Sequence, residues 1–525
     1  MVKRKRVVGM FAALLSVAIA ASGCGGGTSP EQGSAPSPET ETSTETKAQE
    51  TPTAETPAGK LDVSLKFLSY QDNFDPATDY ERQAIKDILG VDIIPSMGNE
   101  DDKVNLALSS GQDYDMISIN NRNLLAMYAK NKAIQPLTEL IEQHGPILKE
   151  TFSQEQWDMV SVDGEIYALP TFNYEAVTNG FVIRKDWLDK LGMAVPTTPD
   201  ELYEVLKAFK EKDPGGVGKD KVIPMAFAAG NDGSQLYLSG LAEAFGLGRG
   251  PTDFVVKDGR VEAGLDQPGA KEYVAFLNKL NAEKLLDPDA AASKQDQVTQ
   301  KIGAGLVGVA AMSCWDSAAL KALREREPNA ELVFMEPFKD KDGKQAIAGS
   351  GGLYSFVIVP ASSKKAAEVV QYANAFLDPA NYTKLILGEE NETYKIEDGK
   401  YYPIFPAFDK LNKGRWFYPV NEAKLYTPLF GARARKEKEM GELWDDINAK
   451  SEGYRYTPII NLAPVVETEQ SSGQALRTYA HERLIKMMLE AGELEKFDEF
   501  VAEWKSKGGE QLTQEYDAWY QSTQN

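Results

Sequence analysis

The chain has 525 residues, a formal net charge of −22, two cysteines and two histidines. Such acidity argues against nucleic acid and anionic lipid surfaces as partners, and two histidines leave almost no material for histidine-based metal sites or Ser-His-Asp triads. With 42% hydrophobic and 10% aromatic residues, packed cores can form without a disulfide framework.

In chain order, Lys3, Arg4, Lys5 and Arg6 precede an apolar run from Val7 to Ala20, the layout of a secretory signal. The run is shorter than the roughly 20 residues a membrane-spanning helix needs. Ala21-Ser22-Gly23-Cys24 resembles a bacterial lipobox, with Ala21 where the pattern favours Leu. The resemblance implies a signal peptide over 1–23, cleavage before Cys24 and diacylglyceryl transfer to its thiol. Two acyl chains make a lasting anchor. An ordinary cleaved signal, with Cys24 left free or removed, is the other reading. From Gly25 to Lys60 there is no branched aliphatic or aromatic residue, so 24–60 is expected to be a lipid anchor followed by a disordered acidic linker. About 465 residues remain, too many for one core and suited to two lobes.

From Leu61 onward, "LDVSLKFLSY" alternates like a half-buried strand. "DYERQAIKDILG" reads as a helix ending at Gly90, "VDIIPSM" as a strand, "DDKVNLALSSG" as a helix and "YDMISIN" as a strand. This rhythm predicts an open, mainly parallel sheet covered by helices, with ligands at the carboxyl ends of strands. Tyr70 to Asn73 and Asn120 to Asn123 are therefore candidate contacts, with Tyr70, Asn73 and Asn120 singled out. Polar residues that simply end strands are the plainer reading.

"DGEIYALP" reads as a turn feeding a strand that Pro170 stops, and "NGFVIRKDWLDKLG" as a strand running into a helix closed by Gly192. "PTTPDELYEVLKAFKEK" has a Thr/Pro/Asp helix start and apolar spacing at Leu202, Val205, Leu206 and Phe209. The order of "GEIYALP", "RKDWLDKLG" and "PTTPDELYEVLKAFK" resembles the carbohydrate-type extracellular solute-binding proteins of ABC importers. With the linker and lipobox, it is most similar to their long lipoprotein subgroup, which serves oligosaccharides and alginate. "GLVGVAAMSCWDSAAL", "GSGGLYSFVIVPASSKKAAEVVQYANAFLDP" and "LILGEENETYKIEDGKYYPI" are similar to later landmarks of that family.

The resemblance implies an α/β, two-lobed periplasmic-binding-protein-like fold with discontinuous lobes and a helical C-terminal region. Lobe 1 would comprise 61–176 and 353–402, and lobe 2 177–352 and 403–525. The chain would cross near Glu175 to Phe181, near Ala348 to Leu353 and near Tyr402 to Pro406. Such a protein is a monomeric receptor on the extracytoplasmic face of the membrane. It binds a carbohydrate between its lobes and delivers it to ABC permease subunits.

Sugars offer flat apolar faces ringed by hydroxyls, so aromatic rings and planar polar side chains are the groups to seek. Trp315, after the strand "GLVGVAAM" and beside Asp316, is the leading candidate, set against a core tryptophan. Phe172, Asn173, Tyr174 and Glu175 fall at the first crossing, where hinge packing is the alternative for Phe172 and Tyr174. Trp416 and Tyr418 belong to an aromatic loop, "GRWFYP", that either stacks on ligand or packs beneath itself. Trp187, Trp504 and Trp519 read as core.

Alginate-binding relatives carry a calcium-holding D-x-N-x-N-x-K-x-D-E run after the segment equivalent to "KAFKEKDP". Here that run is "DPGGVGKDKV", with Gly215, Val217, Lys221 and Val222 at four of the ligand positions. A hard cation wants about six to eight oxygens, so no metal is expected in this loop, and no cofactor elsewhere. No G-x-x-x-x-G-K-[ST] phosphate loop is present. Two rival classes stay open: a secreted glycoside hydrolase, which needs only a carboxylate pair, and a structural or adhesive surface lipoprotein.

Overall fold

A computed structural model describes residues 60–69, 80–229, 238–411 and 417–524. The alternation in "VSLKFLS" becomes the strand Val63–Ser69, with Leu65 and Phe67 fully buried. Helix Tyr80–Leu89 follows and ends at Gly90, whose φ of +72° is left-handed. A Cβ there would lie 2.8 Å from the Cβ of Lys60, so glycine is required both for the turn and for the close approach. Strand Val91–Met97, helix Asp101–Ser109 and strand Met116–Ile119 complete the expected rhythm.

These three strands pair in parallel, with Val63–Ser69 in the centre. Strand Leu353–Ile358 adds antiparallel beside Met116–Ile119, and Ala168–Phe172 closes the far edge. The first sheet is thus mixed rather than mainly parallel. Pro170 does not stop its strand. It sits inside Ala168–Phe172, tolerated because an edge strand lacks a full set of ladder partners. The outer side of that edge is covered by Asn421, whose backbone N–H donates to Pro170 O (3.1 Å) and whose carbonyl accepts the Phe172 N–H (2.8 Å).

The second sheet runs in the order Leu332–Phe334, Asn179–Arg184, Val307–Ser313, Ile223–Ala226. The first two pairings are antiparallel and the last parallel. Its strands are buried on both faces, and the period-2 geometry divides them cleanly. Phe181, Ile183 and Val309 join a core with helix Pro199–Lys212, while Val182, Ala310 and Met312 join another with helices Gln295–Gly303 and Ser317–Arg326. Helix Pro199–Lys212 is N-capped by Thr198, which accepts the Glu201 N–H. Leu202, Val205, Leu206 and Phe209 are its buried stripe. Trp187 is fully buried, edge-on to Phe209 at 5.3 Å, and Trp504 is likewise core.

The C-terminal helices divide between the two sheets. Leu476, Leu484, Phe500, Trp504 and Tyr516 pack with the second sheet. Phe408, Tyr426, Phe430 and Trp444 pack with the first, although the family resemblance implies that 403–525 lies mostly with the second lobe. The physical reason is aromatic packing: Phe376, already in the first core, lies 4.9 Å from the Tyr418 ring and 5.8 Å from Tyr382. The last crossing therefore does not fall at Tyr402 to Pro406, which belongs to a hairpin, Tyr394–Glu397 with Lys400–Pro403, and the turn after it. It follows helix Lys438–Ser451, whose Trp444 joins the first core and whose Met440 and Ile447 pack against the second sheet. Ala58–Asn525 forms one compact unit.

Candidate functional site

Three passages of chain connect the sheets, and backbone hydrogen bonds bind them into one floor. Asn173 N–H donates to Gly352 O (2.9 Å), Ser350 N–H to Ala176 O (2.9 Å) and Gly349 N–H to Tyr456 O (2.8 Å). The hydroxyls of Thr178 and Ser350 meet at 2.8 Å, and the Asn461 amide donates to Gly351 O at 3.0 Å. Such closeness explains the run "GSGG". A Cβ on Gly351 would lie 2.7 Å from the Thr457 hydroxyl, and one on Gly352 (φ +102°) 2.7 Å from Asn461.

Over this floor opens a cleft of about 510 Å³. Asn173, Ala348, Gly349, Ser350 and Asn461 line it from the crossings; Asn179, Phe181 and Ser313 line it from the second sheet. Asn173 Oδ1 is buried there without a hydrogen-bond partner among the described residues. Arg249 also lines the cleft, held as a fork on Asp253 by bonds of 2.9 and 3.0 Å. Beneath the floor, Glu243 accepts from Ser239 Oγ (2.7 Å), Gly240 N–H (2.6 Å) and Ala348 N–H (3.2 Å). Burial pushes its carboxyl up to about 7.

The sequence candidates disperse around this cleft. Asn173 lines it. Trp315 is not among its lining residues but stands two positions beyond Ser313 and is 44% exposed. Its ring and that of Phe430 meet edge-to-face at 5.4 Å, and the Lys436 ammonium sits over the indole 5.6 Å from its centre. Asp316 organises the turn: its carboxylate accepts Ser313 N–H (2.8 Å) and the Gln295 amide (3.0 Å), and burial raises its pKa. Glu175 is exposed, and its backbone N–H donates to Thr427 Oγ1.

Phe172, Tyr174 and Tyr418 are packing residues, correcting their candidacy as ligand contacts. Each is buried in the first core, and Tyr174 lies flat on Phe430 with ring centres 3.5 Å apart. Asn120 is exposed and lines a separate cavity. Tyr70, Asn73, Trp416 and Cys24 lie outside the described residues. In the degenerate loop, Asp213 spends its carboxylate on the Val217 and Gly218 N–H groups. The remaining cysteine, Cys314, is buried, which pushes its thiol up to about 12 and suppresses the reactive thiolate. Sequence reasoning missed Asn179, Ser350, Asn461 and Arg249. For Ser350 the "GSGG" run at a crossing was an available signal; Asn179, Arg249 and Asn461 carried none.

Two mixed sheets joined by three crossings, with a polar cleft over the crossings, define a two-lobed α/β binding protein, a class that opens and shuts about its hinge. Residues 91–383 match the family described as bacterial extracellular solute-binding protein, and the chain belongs to it. Among curated proteins it is similar to the polygalacturonan/rhamnogalacturonan-binding protein YtcQ of Bacillus subtilis (strain 168), 25% identical over 489 residues that cover 90% of this chain and 94% of the relative. It is also similar to the lipoprotein LipO of the same organism, 26% identical over 449 residues covering 80% and 84%. Among solved structures it shares its fold with the Streptococcus pneumoniae ABC-transporter substrate-binding protein FusA in complex with kestose. That match has a TM-score of 0.68 at 22% identity and covers 88% of this chain and 99% of that one.

Proposed function

We propose that this protein is the receptor of an ABC importer, capturing an oligosaccharide or related carbohydrate in the 510 Å³ cleft and delivering it to membrane permease subunits. The observation that carries the reading is the cleft's position, directly on the three crossings that any hinge between the sheets must use. Ligand contacts made only when the halves are shut would shift the population toward a closed form. The two halves correspond approximately to 61–176 with 353–402 and 177–352 with much of the C-terminal region, the 408–444 stretch going with the first.

Among the described residues, the polar groups lining the cleft are amides, hydroxyls and one guanidinium, the set that pairs with sugar hydroxyls. A glycoside hydrolase would instead present two carboxylates about 5 to 9.5 Å apart. Trp315 would stack on a sugar face, with Asn173 supplying a hydrogen bond. Glu175, Asp316, Tyr70, Asn73, Asn120 and Trp416 stay as secondary candidates, and no metal or cofactor is invoked. Anchoring through Cys24 is supported by the lipobox-like sequence and by likeness to a lipoprotein.

The names of the relatives set the panel for the test: oligogalacturonides, rhamnogalacturonan fragments and fructooligosaccharides, each titrated into purified protein in a thermal-shift assay. A saturable rise in Tm for some member, without product on chromatography, supports the receptor. Cleavage of any member would move the assignment to a hydrolase, and silence across the panel to a structural lipoprotein. A Cys24→Ser variant should leave the membrane fraction; retention there would remove the anchor from the account.

A further inference from the structure

Helix Lys438–Ser451 is bonded to both halves through different residues. Toward the second sheet, Lys450 Nζ donates to Phe334 O (3.0 Å) and Arg324 pairs with Glu439 (2.9 Å), while Met440 and Ile447 enter the apolar cluster on that sheet. Toward the first sheet, Trp444 makes a T-shaped contact with Phe430 at 5.8 Å, and Asp445 holds the Arg435 guanidinium as a fork at 2.6 and 3.0 Å. Arg435 carries the tie onward to Tyr401 O, at 3.1 Å. One helix therefore bridges the same seam that the three crossings span.

From this helix Asn448 reaches the first crossing. Its Oδ1 accepts the Val177 N–H at 2.9 Å and its Nδ2 donates to the Val177 carbonyl, also at 2.9 Å. Nδ2 donates as well to Trp444 O at 3.0 Å. A side-chain amide thus closes both backbone groups of one residue, the exchange that a facing residue makes in an antiparallel ladder. Val177 is fully buried, so its peptide groups need such partners. Asn421 braces the start of the crossing in a similar way, donating to Phe172 O at 2.8 Å and accepting the Tyr382 hydroxyl at 2.6 Å.

The neighbours of Val177 lead to the cleft. Ala176 O accepts the Ser350 N–H and Thr178 O the Cys314 N–H, each at 2.9 Å. The Thr178 hydroxyl meets that of Ser350, and Ser350 lines the cleft with Asn179. Asn448 itself is not among the lining residues.

We propose that Asn448 is a positioning residue for ligand capture: it pins the first crossing to the helix that bridges the halves, setting their resting separation and the placement of Ser350 and Asn179. The proposal rests on the receptor reading. A hinge set in advance lowers the ordering cost of binding, so the pin contributes to affinity from outside the cleft.

The first arm of the test needs no ligand and uses the full chain with spin labels at exposed Lys130 and Lys321. Asn448→Ala removes both bonds to Val177. Asn448→Asp keeps the acceptor but sets a carboxylate against the Val177 carbonyl, and serves if the alanine variant folds poorly. Ser451→Ala, which loses only hydroxyl bonds inside the same helix, is the control for general loss of stability. Samples frozen from temperatures equally far below each Tm should give a broader distance distribution for the Asn448 variants than for the parent and the control. In the second arm, trigalacturonate and kestose are titrated by calorimetry. A sugar that binds the parent should bind the Asn448 variants about three- to tenfold more weakly, the span of one net hydrogen bond, and the control unchanged. Parent-like distributions in both Asn448 variants would overturn the proposal, as would affinities that follow Tm alike in all three variants. If neither sugar binds the parent, that result counts against the receptor reading, and the ligand-free distributions still decide the role of Asn448.

Discussion

Glu243 Oε1 accepts the phenolic O–H of Tyr456 at 3.3 Å, and the same atom accepts the Ala348 N–H at 3.2 Å. Tyr456 and Ala348 belong to two different crossings, paired as the short parallel strands Ile347–Ala348 and Arg455–Tyr456. One buried carboxylate thus ties two of the three hinge passages to the Ser239–Gly240 turn. Fully buried Tyr273 lies close enough to feel its charge.

The tie makes stability depend on pH. Burial raises the Glu243 carboxyl from its ordinary 4.5 to about 7, so the folded state holds a proton that the unfolded chain releases. Its contribution is fully present below about pH 4.5 and is lost as pH rises through about 7. Within that window the slope is at most about 1.4 kcal/mol per pH unit. Glu243→Gln should flatten the fall in Tm between pH 5 and 7.5 relative to the parent. Parallel Tm-versus-pH curves for the two proteins would refute the assignment.

Asn173 separates stability from binding. Its buried Oδ1 lacks a partner among the described residues, so Asn173→Ala removes an unmet acceptor and should leave the ligand-free Tm unchanged or raise it. Affinity for a panel oligosaccharide should fall by about 0.5–1.5 kcal/mol, the net value of one hydrogen bond. Calorimetry and thermal melts on one preparation check both signs together.

Trp315 is expected to behave as a binding residue. Because 44% of it is exposed, Trp315→Ala should cost little stability, yet it should weaken carbohydrate binding more than about tenfold, as loss of a stacking anchor does. An unchanged dissociation constant would reduce Trp315 to a partner of Phe430 at the seam between the sheets.

Gly352→Ala probes the floor itself. With φ at +102° and a Cβ pressed to 2.7 Å from the Asn461 backbone carbonyl, the substitution should destabilise by more than about 1 kcal/mol in urea unfolding. Gly343→Ala, also at positive φ but with open space around it, is the control for backbone strain alone. Equal losses in the two variants would mean that the close approach of the crossings contributes nothing.

Local pattern carried much of the architecture. Helix Pro199–Lys212 was legible because its apolar spacing and its Thr198 cap act within one element, and Gly90 and Gly192 mark helix ends for the same local reason. Placement across long separations was not. Pro170 reads as a stop, yet the strand runs through it because Pro170 faces the outer edge, where Asn421, 251 residues away, is the single described residue that pairs with it rather than a full strand. Aromatic composition could not tell Tyr174 and Tyr418, which fill the first core, from Trp315, which remains open; a ring serves packing and stacking equally well. Glu243 gave no sign at all, since its partners Ala348 and Tyr456 stand 105 and 213 residues away.

The account turns on two halves closing over a bound carbohydrate. Spin labels at exposed Lys130, beside the first sheet, and exposed Lys321, beside the second, would report their separation by pulsed electron paramagnetic resonance, with and without the tightest-binding panel oligosaccharide. The account predicts a shorter, narrower distance distribution on ligand addition. Saturable binding with an unchanged distribution would contradict it.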